Sequence, residues 1–309
     1  MRLAFLGTAD FAVPGLDRLS ASTHTVAGVV TVPDKPAGRG RKPRPSPVKV
    51  RALELGLPVL HPERLRDPAF LRTLESWRAD CFIVVAFRIL PPEVFRLPSK
   101  GTVNLHASLL PRYRGAAPIR WALMNGETET GVTTFLIDAH VDTGDLLLQS
   151  RVPILPDDDA GTLHDKLAAC GAELLLETVD GLESGVLRPV PQRGEPTPAP
   201  KILPEHGRID WSRPAGEILC QIRAFSPGPG AFTEWQGHRM KLFGASVQIQ
   251  DTAVHREPGT ILKTGQDGIL VQAGSEWLRV RSVQIEGRKR MDAGAFLRGA
   301  DLKAGQRFG

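Results

Sequence analysis

From Asp80 to Ala86 the chain is a continuous apolar run, with Cys81-Phe82-Ile83-Val84-Val85 at its centre. Successive side chains of a strand point to opposite faces, so a strand that is apolar throughout needs cover on both sides. A parallel sheet sandwiched between helices supplies that cover, and the run therefore predicts the central strand of an α/β domain. Its surroundings agree. Leu3 to Leu6 and Val26 to Thr31 predict two more strands, joined by a helix over Phe11 to Leu19. Ser46 is placed to cap a helix running toward Leu55, with Pro47 at the first helical position, where its missing donor is tolerated. Leu57 to Leu60, Thr102 to Leu105, Gly131 to Ile137 and Leu146 to Ile154 predict further strands. Ala117 to Met124 predicts a helix, and the apolar spacing from Leu163 to Leu182 predicts a long amphipathic one. This alternation points to a Rossmann-like open, parallel-rich sheet.

The chain has 309 residues, more than the roughly 250 at which a single core stops growing, so two domains are expected. Between Arg188 and Pro200 the sequence is rich in proline and has no apolar face, which predicts an extended linker. The expected division is an N-terminal domain over 1–188, a linker over 189–204 and a C-terminal domain over 205–309. In the last part, short strand-like runs at Gly230 to Trp235, Met240 to Gln250, Gly259 to Leu262, Ile269 to Ala273 and Trp277 to Ile285 are separated by glycine-rich turns. That pattern predicts a small β-barrel, with the oligonucleotide-binding type as a reasonable member.

Charge narrows the partners without fixing them. Lys and Arg number 39 against 34 Asp and Glu, a formal charge of +5, which allows a polyanionic partner but does not require one. Placement is more informative. From Asp34 to Lys49 the chain carries Lys35, Arg39, Arg41, Lys42, Arg44 and Lys49 with no acidic residue after Asp34, while Gly38, Gly40 and several prolines interrupt regular structure. Arg279, Arg281, Arg288, Lys289 and Arg290 form a second basic group. Both suit phosphate contacts, and both are also compatible with a solvated charged surface.

Cys81, Cys170 and Cys220 are isolated in apolar surroundings, so neither a disulfide framework nor a cysteine zinc site is expected. No histidine spacing suggests a metal site either. The first residues lack the organisation of a signal peptide, and no apolar run reaches the length of a membrane span. A cytoplasmic protein with no membrane association is the expectation.

The candidate chemistry lies at the end of the Thr102 strand. Asn104 and His106 are two residues apart, so strand periodicity puts both side chains on one side. The carboxyl end of a strand is where open α/β sheets bind ligands. Asp142, in the polar stretch Asp138 to Asp145, is a candidate to orient His106 and stabilise its charge, with Asn104 as a donor to an oxyanion. Periodicity alone leaves open that the three are caps or packed polar residues.

The Gly7-Thr8 opening, the segment from Asn104 to Ile119 and His140-Val141-Asp142-Thr143-Gly144-Asp145 together resemble the folate-dependent formyltransferase family. Pro33 to Lys42 followed by Pro45-Ser46-Pro47-Val48-Lys49 resembles the branch of that family that acts on charged tRNA, and the resemblance spans essentially the whole chain. It implies 10-formyltetrahydrofolate as one-carbon donor and methionyl initiator tRNA as acceptor, with no metal and no obligate protein partner, the chain acting as a monomer. It implies catalytic roles for Asn104, His106 and Asp142. It also implies folate contacts from Ser108, Leu109, Leu110 and Pro111 and from the loop Phe87, Arg88, Ile89 and Leu90. Arg88 stands where the family pattern leads one to expect glycine, which bears on the shape of the pocket. The basic loop is implied to meet the tRNA acceptor arm, with Arg39, between two glycines, nearest the first base pair. Two alternatives remain: a formyltransferase for a small amine or a nucleotide sugar, and a catalytically inactive RNA-binding module.

Overall fold

The computed structural model describes residues 1–37, 42–248 and 256–309. Their strands in chain order are β1 (Arg2–Gly7), β2 (Thr25–Val30), β3 (Lys35–Ala37), β4 (Lys42–Arg44), β5 (Val59–Leu60), β6 (Cys81–Val85), β7 (Thr102–His106), β8 (Glu129–Leu136) and β9 (Leu146–Pro153). All but β3 and β4 join one seven-stranded sheet in the order β5-β2-β1-β6-β7-β8-β9. From β5 to β7 neighbours run parallel. β8 is antiparallel to β7, and β9 to β8.

The central position of β6 follows from its composition: every residue from Cys81 to Val85 is buried. The cluster that covers it takes Phe70 and Leu74 from the helix over Pro68–Ser76, Trp77 just beyond that helix, and Phe82 and Val84 from the strand itself. Full burial of an aromatic side chain such as Phe82 contributes about 2–3 kcal/mol before entropy is counted. Asp67 starts that helix by accepting from the backbone N–H of Ala69 at 2.7 Å, the expected satisfaction of an orphan donor. Ser46 does the same for the helix over Pro47–Glu54, accepting from Lys49 N at 3.0 Å, and its hydroxyl also bonds Thr31 just past β2 at 2.7 Å. The long helix over Ala160–Ser184 is tied to β8 by a hydrogen bond between the hydroxyls of Thr178 and Thr134 at 2.8 Å.

The basic loop contains regular structure that its glycines and prolines argue against. β3 and β4 pair antiparallel with Pro36 opposite Pro43, flanked by Lys35 opposite Arg44 and Ala37 opposite Lys42. Setting two prolines against each other leaves the ribbon's hydrogen bonds to the flanking residues, so the missing donors cost little. Gly38, Arg39, Gly40 and Arg41 lie outside the described residues, as do the side chains of Lys35 and Lys42.

The chain divides into two compact units, interleaved in sequence. The first comprises 1–118, 129–153 and 164–200; the second comprises 119–128, 154–163 and 201–309. The second is built on a six-stranded sheet of β10 (Ala231–Trp235), β11 (His238–Gln248), β12 (Ile261–Gly265), β13 (Gly268–Ala273), β14 (Glu276–Ile285) and β15 (Met291–Asp292), ordered β10-β11-β14-β13-β12 with β15 on β14. All its pairings are antiparallel. Leu278 and Val280 are buried while Arg279 is half-buried and Arg281 exposed, the alternation of a half-covered sheet. A helix over Ala215–Ala224 packs on β11 and has no counterpart among the expected elements. Its buried Ile218 and Ile222 have helical spacing, but the prolines around it resemble loop composition.

Candidate functional site

β1, β6 and β7 run side by side in the same direction. The turn at Gly7-Thr8, the loop from Ala86 to Leu90 and the loop from Ala107 to Pro111 therefore leave one edge of the sheet together. β7 brings Thr102, Asn104 and His106 onto one side. Thr102 is spent on structure, its hydroxyl donating to Phe95 O at 2.7 Å. The Asn104 amide makes no hydrogen bond among the described residues and is half-buried. His106 is 7% exposed.

The ring of His106 is held at Nε2, 2.8 Å from the carbonyl oxygen of Tyr113. A carbonyl can only accept, so Nε2 carries the proton and Nδ1 is the lone-pair nitrogen of the neutral ring. Nδ1 lies 3.7 Å from Asp142 Oδ2. That is longer than a hydrogen bond and within the range of an ion pair, so Asp142 rewards the imidazolium more than the neutral ring. The same carboxylate oxygen accepts from Gly115 N at 2.8 Å, which fixes it in place.

The way Asp142 arrives corrects a simple picture of strand ends. β8 is antiparallel to β7, with Thr133 opposite His106 and Leu136 opposite Val103, and Ile137 N bonds Thr102 O at 2.8 Å. The chain thus leaves β8 at the level of the start of β7, about 13 Å from His106 along the strand, and residues 138–144 must return along the sheet to deliver Asp142. Gly144 permits the close crossing, since a Cβ there would lie 1.7 Å from Leu136 O. Asp138 braces the loop by accepting from His140 N and from the Thr143 hydroxyl; His140 itself is exposed.

Among the expected folate contacts, Ser108 is fully buried, and its hydroxyl donates to Arg112 O at 2.6 Å. Leu110 is also buried, its N–H donating to Thr133 Oγ1 and its carbonyl accepting from Gln149 Nε2. Both shape the loop from within, while Leu109 and Pro111 are half-buried. In the neighbouring loop Leu90 belongs to the core, Phe87 packs against it, and Ile89 is 80% exposed. Arg88 turns toward the residues after β5: its guanidinium donates to Pro62 O at 2.7 Å and Glu63 O at 3.0 Å and stacks over Phe87. Burial lowers its pKa, which leaves a guanidinium charged at neutral pH. Burial on β6 likewise pushes the Cys81 thiol up to about 12.

Residues 190–199 lie along this site. Val190 and Leu146 exchange both backbone hydrogen bonds, and Ala199 pairs with Arg114 and Ala117. Gln192 Nε2 donates to Asp142 O and Gly144 O, both at 2.9 Å. The prolines in this stretch signal extension but carry no trace of these partners.

Of the basic candidates, Lys49 is paired with Asp34 at 2.9 Å and Arg44 is exposed. In the second unit Arg281, Arg288, Lys289 and Arg290 are exposed, Arg290 resting 4.3 Å over the Phe243 ring, while Arg279 is half-buried and donates to Gln248 Oε1 at 3.4 Å. Arg239, 4.0 Å over the Phe232 ring, and Lys241 are further cations on β11. The alternation His238-Arg239-Met240-Lys241-Leu242 was the available signal for them. Among the described residues no His, Cys, Asp and Glu cluster could hold a metal ion, and no helix is long and apolar enough to cross a membrane.

The family model described as formyl transferase matches residues 1–179, and that for the formyl transferase C-terminal domain matches 201–301. The chain is 46% identical to a methionyl-tRNA formyltransferase of Geobacter metallireducens over 100% of this chain and 99% of the relative. It is 44% identical to one of Pelotomaculum thermopropionicum over 99% and 97%. Its fold is similar to HypX from Aquifex aeolicus, solved in complex with tetrahydrofolic acid, with a TM-score of 0.68 at 20% identity over 97% of this chain and 48% of that one. The chain thus spans about half the length of that solved structure.

Proposed function

The chain belongs to the formyl transferase family, and on that footing we propose that it transfers the formyl group of 10-formyltetrahydrofolate to the α-amino group of methionine on initiator tRNA. The products are N-formylmethionyl-tRNA and tetrahydrofolate. The observation that carries the chemistry is the ring of His106, pinned at Nε2 by Tyr113 O with Nδ1 facing Asp142.

The donor supplies an activated formyl carbon: a bond to the methionyl nitrogen forms, the bond to the folate nitrogen breaks, and one proton passes from the first nitrogen to the second. Asn104, with an uncommitted amide, donates a hydrogen bond to the formyl oxygen as it gains charge. His106 Nδ1 takes the proton from the attacking amine and returns it to the departing nitrogen. Asp142 stabilises the imidazolium between those events. Phe87, Arg88, Ile89 and Leu90 and the loop from Ser108 to Pro111 form the donor pocket, with exposed Ile89 as the surface a pterin would cover and Ser108 and Leu110 as internal braces. An uncommitted amide at the carboxyl edge of the sheet, with exposed Ile89 and half-buried Leu109 on loops that leave the same edge, supports such a donor.

The tRNA is held by Arg279, Arg281, Arg288, Lys289 and Arg290, joined by Arg239 and Lys241, on a C-terminal sheet of oligonucleotide-binding type. Lys35, Arg39, Arg41, Lys42, Arg44 and Lys49 address its acceptor arm. Function divides along the chain as catalysis in 1–188, linkage in 189–204 and tRNA binding in 205–309. The protein works as a cytoplasmic monomer. The test is transfer of labelled formyl from the folate donor to charged and uncharged initiator tRNA and to free methionine. Label confined to charged tRNA supports the proposal; label on small amines alone, or binding without turnover, refutes it.

A further inference from the structure

We propose that residues 190–199 form a strap that positions His106, with Gln192 and Thr197 as its positioning residues; the inference rests on the role of His106 given above. His106 depends on two groups, the Tyr113 carbonyl at Nε2 and the Asp142 carboxylate at Nδ1. They sit on separate segments, and both have left-handed backbones, Tyr113 at φ 60° and Asp142 at φ 55°. Such conformations persist in residues other than glycine only where neighbouring structure holds them.

The strap bonds to both. Thr197 Oγ1 accepts from Tyr113 N at 2.8 Å, and Thr197 O accepts from Arg114 N at 2.9 Å. Gln192 donates from Nε2 to Asp142 O and Gly144 O at 2.9 Å each, while its Oε1 accepts from Arg114 Nη2 at 2.6 Å and Nε at 3.2 Å. The side-chain amide therefore spends both its hydrogens and its oxygen on linking the two segments. Gly115 lets the strap lie close: it has φ 123°, and a Cβ there would sit 2.6 Å from Ala199 O. Gly115 N is also the donor to the Asp142 carboxylate, so the point of closest approach to the strap is the point that fixes the charge facing His106.

Neither Gln192 nor Thr197 touches the reacting atoms in this account. Their loss should lower turnover while leaving binding intact. The test uses the full-length chain with Gln192→Ala, Thr197→Val and Thr197→Ser, each first checked for a parent-like melting transition. Gln192 and Thr197 are half-buried, so truncation leaves the core in place, and either folded variant decides the question. Turnover with 10-formyltetrahydrofolate and charged initiator tRNA is measured with the Michaelis constants of both. The ¹⁵N signals of the His106 ring report its tautomer without requiring activity. Gln192→Ala and Thr197→Val should lower kcat by about 10- to 100-fold with both Michaelis constants near parent, and should blur the single Nε2–H tautomer into a mixture. Thr197→Ser, which keeps the acceptor, should behave as the parent. His106→Asn, run alongside, separates the two claims. If it turns over normally, the reading of His106 fails. If it is inactive while either folded variant, Gln192→Ala or Thr197→Val, keeps parent kcat and parent tautomer, the strap is overturned alone.

Discussion

The carbonyl oxygen of Tyr113 accepts the Nε2–H of His106 at 2.8 Å, so the nitrogen facing Asp142 is the one that gains a proton when the ring becomes charged. A single backbone bond thereby sets the direction in which the site moves protons.

Asp142 should matter through charge more than through shape. Asp142→Asn keeps an oxygen to accept from Gly115 N, and asparagine tolerates the left-handed backbone at this position. The variant should fold with nearly parent stability yet lose about 10- to 1,000-fold in kcat, because the imidazolium is no longer paired. Asp142→Ala should also lose roughly 1–3 kcal/mol by leaving Gly115 N unsatisfied. Thermal melts and single-turnover rates on both variants check this; equal rates for parent and Asp142→Asn would remove the carboxylate from the mechanism.

Arg88 should act on donor affinity. Its guanidinium spans the carbonyls of Pro62 and Glu63, a span that a lysine ammonium cannot reproduce in the same planar form. Arg88→Ala and Arg88→Lys should each raise the Michaelis constant for the folate donor about fivefold, the equivalent of one net hydrogen bond, with kcat unchanged. Steady-state kinetics at saturating tRNA checks it, and a fall in kcat with no change in that constant would contradict it.

The second unit should supply a measurable share of tRNA electrostatics. Removing one cation that neutralises a phosphate lowers the slope of log affinity against log salt by roughly 0.7–1. Arg239→Ala and Arg281→Ala, tested one at a time in tRNA titrations across salt, should each reduce the slope by about that amount and leave donor binding alone. An unchanged slope would take the residue off the RNA face.

Stability should fall in alkali through β6. The folded state holds the Cys81 proton to about 12 against an ordinary value of 9.0. Above the unfolded value the unfolded chain binds fewer protons than the folded one, so stability falls with rising pH. This contribution is intact below pH 9 and is lost progressively from there toward pH 12, at about 1.4 kcal/mol per pH unit at most. Denaturant melts across that range should show a shallower decline for Cys81→Ala. Parallel declines in the two proteins would rule out the thiol as a source.

Some of this was legible in the sequence because it is local. The apolar run from Asp80 to Ala86, the Ser46 cap and the shared face of Asn104 and His106 follow from periodicity and from the first turn of a helix. The antiparallel course of β8 does not, since a strand reads the same in either direction, and with it went the return path that carries Asp142 to His106. Gln192 was invisible for a related reason. Its partners lie 48 and 50 residues earlier, and a proline-rich stretch announces extension without saying what it lies against. The left-handed Tyr113 has no local mark of the kind glycine would give, and the alternation that sets Arg239 and Lys241 against Met240 and Leu242 does not say which strands they lie beside.

The most direct test of the central claim is the single-turnover rate of formyl transfer by His106→Asn at saturating donor and charged initiator tRNA. The rate should fall about 100- to 10,000-fold with a parent-like fold and with both ligands still bound. Transfer at the parent rate by the folded variant would contradict it.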